Sequence, residues 1–276
     1  MCTVVLLRRP GAPWPLLLAA NRDERRSRPW RPPARHWPDR PDVVAGLDEL
    51  AEGSWLGVND YGVVAAILNR SGSLGPAAGK RSRGELVLEA LDHADASAAA
   101  SALADLEPAA YRPFNLIVAD QRDAFWLRHA GALPSFAYRT RGGDLRMVEP
   151  IQLPGAELAA RGATGAIECR RVPDGLSMLT ARELNDPASA RIRQYLEPFR
   201  AAAVPDPERA DWAAWVGLLG DRESAGGDPR DAMAIVTGDD YGTVCSSLVA
   251  LPAVGPPRMW FAAGVPGEAP FERVAS

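Results

Sequence analysis

Residues 4–7 form a short unbroken apolar run bounded by Arg8, Arg9 and Pro10. A run of that length predicts a strand buried on both faces rather than a helix. Pro and Gly within residues 8–15 mark a turn, and residues 16–20 predict a second buried strand. Together they predict a hairpin that delivers Asn21-Arg22-Asp23-Glu24 to a strand end beside the N-terminus. Residues 25–42, rich in Arg and Pro, predict an extended loop. Residues 54–58 and 63–68 predict two more strands around the tight turn Asn59-Asp60-Tyr61-Gly62.

The pattern then changes. Residues 71–80 are a Gly/Ser/Pro loop, and Ser82 is placed to cap a helix over 84–93, with Glu85 near its positive end. Residues 94–106 predict a second helix, ended by Pro108. Strands are expected at 115–119 and 125–127, and short strands and loops over 131–175. Helices follow at 187–199 and 208–219, split by Pro205 and Pro207. The end is β again, at 234–237, 246–251 and 259–262. Sheets covered by helices fit this order better than separate units, so one domain over 1–276 is expected.

Composition removes several classes. The 276 residues are 47% hydrophobic and 24% charged, as in ordinary globular proteins. A formal net charge of -4 leaves no nucleic-acid footprint. No run reaches the ~18 apolar residues of a membrane span, and no signal peptide is evident. Cys2, Cys169 and Cys245 show no paired spacing, which argues for a reducing cytoplasm and against disulfides or a zinc site. His36, His93 and His129 are not spaced as metal ligands, so no metal is expected. The basic residues are nearly all Arg, and those between 22 and 35 form a cluster able to attract anions.

Cys2 carries the most chemistry. If Met1 is trimmed, one residue holds both a thiol and an α-amine, whose pKa of about 7.7–8.0 lets it accept the thiol proton near neutrality. The ordinary alternative is a small core residue. Arg22, Asp23 and Glu24 read either as site residues or as a surface ion-pair cluster, and Asn69 as an oxyanion donor or a turn residue.

Several blocks occur in order: Ala19-Ala20-Asn21-Arg22-Asp23-Glu24, Ser27-Arg28-Pro29, Ala45-Gly46-Leu47-Asp48, Gly53-Ser54-Trp55-Leu56-Gly57, Gly62-Val63-Val64 through Asn69, Arg83-Gly84-Glu85, Phe114-Asn115 through Asp120, and Tyr241-Gly242-Thr243. This set resembles the NRDE family, also called the transport and Golgi organisation 2 family. The likeness is dense over residues 1–120 and patchy beyond. That family is similar in arrangement to cysteine N-terminal nucleophile (Ntn) hydrolases such as bile-salt hydrolases and penicillin V acylases. The resemblance implies an α+β fold, a four-layer αββα sandwich of two stacked, mainly antiparallel sheets covered by helices. It also implies catalytic positions at Cys2, Arg22, Asp23 and Asn69. Asn21, Glu24, Arg28, Trp55 and Asn185 are expected to bind substrate, Asn185 standing where those acylases place a second oxyanion Asn. Arg22 is expected to lower the Cys2 pKa. Where the family often has Gly-Thr-Arg-Ser-Ser, this chain reads Gly242-Thr243-Val244-Cys245-Ser246-Ser247, without the positive charge.

Two functional readings follow. One is a Cys2-dependent amidohydrolase or acyl-transfer enzyme acting on a small non-peptide amide, with no cofactor required. The other is a cytoplasmic carrier of haem or a lipid-like anion, which the family implies, with Cys2 as a thiolate ligand and the Arg cluster pairing with carboxylates.

Overall fold

The computed structural model describes residues 2–131 and 166–275. Strands β1 (Thr3–Arg8), β2 (Leu16–Arg25), β10 (Gly175–Leu179), β11 (Tyr241–Leu251), β12 (Arg258–Ala262) and β13 (Glu272–Arg273) form one sheet. Its order is β10-β1-β2-β11-β12-β13. The second sheet runs in sequence order through β3 (Trp30–Ala34), β4 (Val43–Asp48), β5 (Leu56–Asn59), β6 (Val64–Asn69), β7 (Phe114–Ala119), β8 (Ala124–His129) and β9 (Ile167–Arg171). Neighbouring strands within each sheet are antiparallel.

Three apolar clusters define the layers. Val4, Leu6, Leu16, Leu18 and Val249 of the first sheet meet Val44, Leu56, Val64, Ala66 and Ile117 of the second, so the sheets stack face to face. Helices α1 (Glu85–Leu91) and α2 (Ala96–Ala104) cover the outer face of the second sheet through Leu86, Ala90, Ala99 and Leu103. Helices α3 (Ala190–Ala201) and α4 (Ala213–Leu219) cover the first sheet through Ile192, Tyr195, Phe199 and Trp215. The result is the expected helix–sheet–sheet–helix sandwich. No helix among the described residues is long and apolar enough to cross a membrane.

The local expectations hold with specific exceptions. The hairpin turn after β5 forms, with Gly62 at φ 92°, a left-handed value that favours glycine. The Arg/Pro segment is not all loop. Trp30–Ala34 is an edge strand, where Pro is tolerated, and its pairing with β4 shifts register between Arg31 and Ala34. Strand β4 itself was not anticipated. Ser82 does not cap α1: its hydroxyl accepts from the Gly84 amide, and Gly84 starts the helix without a side-chain cap. Asp95 and Ser189 cap α2 and α3 instead. Residues 234–237 are not a strand, although Ile235 and Thr243 exchange hydrogen bonds. The loops and strands expected over 131–175 fall largely outside the described residues, with β9 and β10 at their end.

Candidate functional site

Successive side chains of a strand leave opposite faces of its sheet, and β2 obeys this to its end. Leu16, Leu18 and Ala20 join the core between the sheets, whereas Leu17 and Ala19 pack under α3 and α4. Arg22 continues the first set and Asp23 the second. The contiguous polar motif is therefore split across the sheet.

On the inter-sheet face, Cys2 packs against the core beside β2, and Cys245 of β11 is paired directly with Arg22. These three line a cavity of about 20 Å³, walled also by Trp55, Leu56, Ala66 and Ser247. That is about the space of one water. A larger pocket, about 290 Å³, opens at the far end of β1 around Leu7, Leu176 and Trp215 and contains none of these groups.

Arg22 is 6% exposed and closely held. Its guanidinium carbon lies 4.2 Å from the Trp55 ring centroid, a cation–π stack. Its Nη2 donates to Asp48 Oδ2 at 3.1 Å. Asp48 also accepts from Arg28 Nε at 2.6 Å, Arg28 Nη2 at 2.9 Å, and the amides of Leu50 and Ala51. Trp55 is held in turn by the edge-to-face ring of Trp30, 6.0 Å between centroids, and by Gly46, where a Cβ would lie 2.3 Å from the indole. With these constraints met, Nη1 of Arg22 is buried and lacks a hydrogen-bond partner. A buried cationic donor left in that state favours an oxygen ligand.

On the helix face, Asp23 is enclosed. Its Oδ2 accepts from Arg191 Nη1 of α3 at 2.9 Å, and Oδ1 from the Thr243 hydroxyl at 2.7 Å. Arg191 also donates to the Thr3 hydroxyl at 2.7 Å and the Arg230 carbonyl at 3.1 Å. Asn21 is likewise committed: its amide donates to the carbonyls of Leu219 and Met233 and accepts from Ser246. Asp23 reaches Cys2 through its main chain, since the thiol donates weakly to the Asp23 carbonyl at 3.7 Å, an oxygen that the Tyr241 hydroxyl also approaches at 3.2 Å.

Arg22 lowers the Cys2 thiol, as expected, but does not set its state. Burial, then the charge of Asp23, push the Cys2 thiol up, and the opposing effect of Arg22 is smaller. Cys2 is therefore a protonated thiol at neutral pH rather than a standing thiolate. Burial likewise raises the Cys245 thiol.

The remaining expected residues lie elsewhere. Asn69 pairs with Phe114, whose ring belongs to the outer core, and it does not line the cavity. Asn185 sits at φ 57°, its amide tied to the Met178 backbone and the Ser177 hydroxyl, and also does not line the cavity. Glu24 accepts from the adjacent Arg25 amide and is not paired with Arg22. Arg28 serves the site only through Asp48. Sequence reasoning missed Asp48 and Arg191. Arg191 stands four residues before the buried Tyr195, so it falls on the apolar stripe of its helix, a signal that was available.

Residues 1–153, over half the chain, match the family described as Transport and Golgi organisation 2. The chain belongs to this family. The curated Transport and Golgi organisation 2 homologues of Bos taurus and Homo sapiens are 41% and 40% identical over 110 residues. That stretch is 38% of this chain and 38% of each relative, so the match spans well under half of their length. Among solved structures, the Caenorhabditis elegans N-acylethanolamine-hydrolyzing acid amidase ortholog is similar over 90% of this chain and 92% of its own, at 12% identity and a TM-score of 0.51. A variant of conjugated bile acid hydrolase from Clostridium perfringens is similar over 99% and 92%, at 14% identity and a TM-score of 0.51. At such identities the likeness establishes the fold, which this Transport and Golgi organisation 2 member shares with Ntn hydrolases.

Proposed function

We propose that this protein is a Cys2-dependent acyl-transfer enzyme that hydrolyses a small non-peptide amide. One observation carries the reading: Cys2 and the firmly held side chain of Arg22 line the same water-sized cavity, and one guanidinium nitrogen of Arg22 is buried without a hydrogen-bond partner. Removal of Met1 would give Cys2 its own α-amine. In the attack, Cys2 Sγ bonds to the substrate carbonyl carbon as its proton passes to that amine. The carbonyl oxygen gains the negative charge, which Arg22 stabilises. Collapse breaks the C–N bond, and the ammonium returns the proton to the departing amine. Water then cleaves the thioester. A thiol protonated at rest suits this scheme, because the amine rather than a pre-formed thiolate controls reactivity. The acid amidase and the bile acid hydrolase, which share the fold, are hydrolases by name, in keeping with this chemistry.

In this scheme Arg22 takes the oxyanion role anticipated for Asn69.

The test uses protein whose loss of Met1 is verified by intact mass. p-Nitrophenyl acetate should release one equivalent of p-nitrophenolate in a burst and leave an acetyl group on Cys2, and a panel of N-acyl amides should yield turnover. Both should vanish in Cys2→Ala. Amide turnover that survives Cys2→Ala would end the reading.

A further inference from the structure

We propose that Asp48 is a positioning residue whose carboxylate fixes the Arg22 guanidinium at the Cys2 cavity and leaves Nη1 as its uncommitted donor. The inference rests on the proposed role of Arg22 and extends it to a residue that does not touch the reacting atoms. Asp48 ends strand β4 of the second sheet, while Arg22 belongs to β2 of the first. Their contact is thus a bridge between the two stacked sheets at the level of the site. The carboxylate is fully subscribed. Oδ1 takes Arg28 Nη2 and the amides of Leu50 and Ala51, and Oδ2 takes Arg28 Nε and Arg22 Nη2. Two backbone amides from its own turn fix its direction, so Asp48 does not follow Arg22 but dictates where it sits. Arg28 neutralises the second half of the carboxylate charge and leaves Arg22 a single hydrogen bond on Nη2. The Trp55 face fixes the plane of the guanidinium, and Asp48 fixes its rotation within that plane. Nη1 is then the atom left over.

This makes a prediction that a purely structural ion pair does not. A held donor beside Cys2 should make the thiol discriminate between reagents by charge. Iodoacetate and iodoacetamide alkylate thiols by the same displacement of iodide, but only iodoacetate carries a carboxylate for Arg22 to bind. The rate ratio of iodoacetate to iodoacetamide at Cys2, read by mass spectrometry and normalised to N-acetylcysteine, should exceed one by about tenfold, the worth of one charge-assisted hydrogen bond. Asp48→Glu keeps the charge but moves the carboxylate by one methylene, so it should collapse most of that preference while iodoacetamide still reacts. Asp48→Asn provides a second check with opposite electrostatics: removing a negative charge alone would raise the preference, whereas misplacing Arg22 lowers it. Arg22→Gln should abolish the preference, with no further loss when combined with Asp48→Glu.

A wild-type preference that Asp48→Glu leaves intact would overturn the role of Asp48 and spare that of Arg22. So would equal slowing of both reagents. No preference in the wild type would overturn both. Because the readout is alkylation, it is independent of whether an amide substrate has been found.

Discussion

Arg22 and Asp23 are adjacent, and each is half of a buried ion pair, but the two pairs are built differently. Asp23 and Arg191 meet on the helix face with side chains 0% and 4% exposed, and both Asp23 oxygens are engaged. Arg22 and Asp48 meet on the inter-sheet face, where Asp48 is shared with the partly exposed Arg28 and one nitrogen of Arg22 is left over. The first pair is closed and ties α3 to β1, β2 and β11. The second is open toward a cavity that holds a thiol. A fully satisfied network rigidifies, whereas a buried donor left over is open to an oxygen ligand.

The largest effect should come from breaking the closed pair. Arg191→Met removes a buried cation from the Asp23 carboxylate, which should destabilise the protein by about 3–5 kcal/mol, read as a lower urea midpoint. A loss below about 1 kcal/mol would mean that Asp23 has other support and that the contrast is overstated.

Gly46→Ala attacks the open pair from behind. Its Cβ would fall 2.3 Å from the Trp55 ring, so the indole must shift and Arg22 loses its stacking surface. A cost of about 1–3 kcal/mol is expected, as for overpacking elsewhere, together with a changed tryptophan emission. Unchanged emission and stability would show that the indole is not held there.

The smallest effect is in pH. Burial raises both the Cys2 and Cys245 thiols above their ordinary values in the fold. Their stabilising contribution is complete below the pKa of the unfolded thiol, about 8.5, and is lost as pH rises above it, because the unfolded chain then ionises more readily. Urea midpoints should therefore decline from about pH 8.5 upward, and Cys245→Ala should flatten that decline. A flat profile in the wild type would contradict the assigned burial.

The same comparison explains what the sequence could disclose. Short apolar runs foretold β1, β2 and the helical cover, because burial on both faces leaves a local signature. Cys2 and Arg22 were legible because both sit at the ends of such runs. Asp23 was legible as a site neighbour, but its ion pair with Arg191 was not. The strand period that carries Arg22 toward the cavity sends Asp23 away from it, and a cluster read as one unit conceals that split. Asp48 lies inside the Ala45–Asp48 sequence block, but its importance comes from a contact between sheets, which no local pattern records. Arg191 is 168 positions from Asp23, and only the packing of α3 on β2 brings them together. Asn185 was assigned by analogy, and its side chain is held by the Met178 amide and the Ser177 hydroxyl.

The central claim is that the open pair serves chemistry and the closed pair serves the fold. It is tested most directly by the rate at which p-nitrophenyl acetate acylates Cys2 in Arg22→Gln protein, compared with the wild type under conditions where both are folded. Loss of one oxyanion donor predicts a rate lower by about 10²–10³, with the fold retained. An acylation rate within a few-fold of wild type would contradict the account and return Arg22 to the status of a buried structural ion pair.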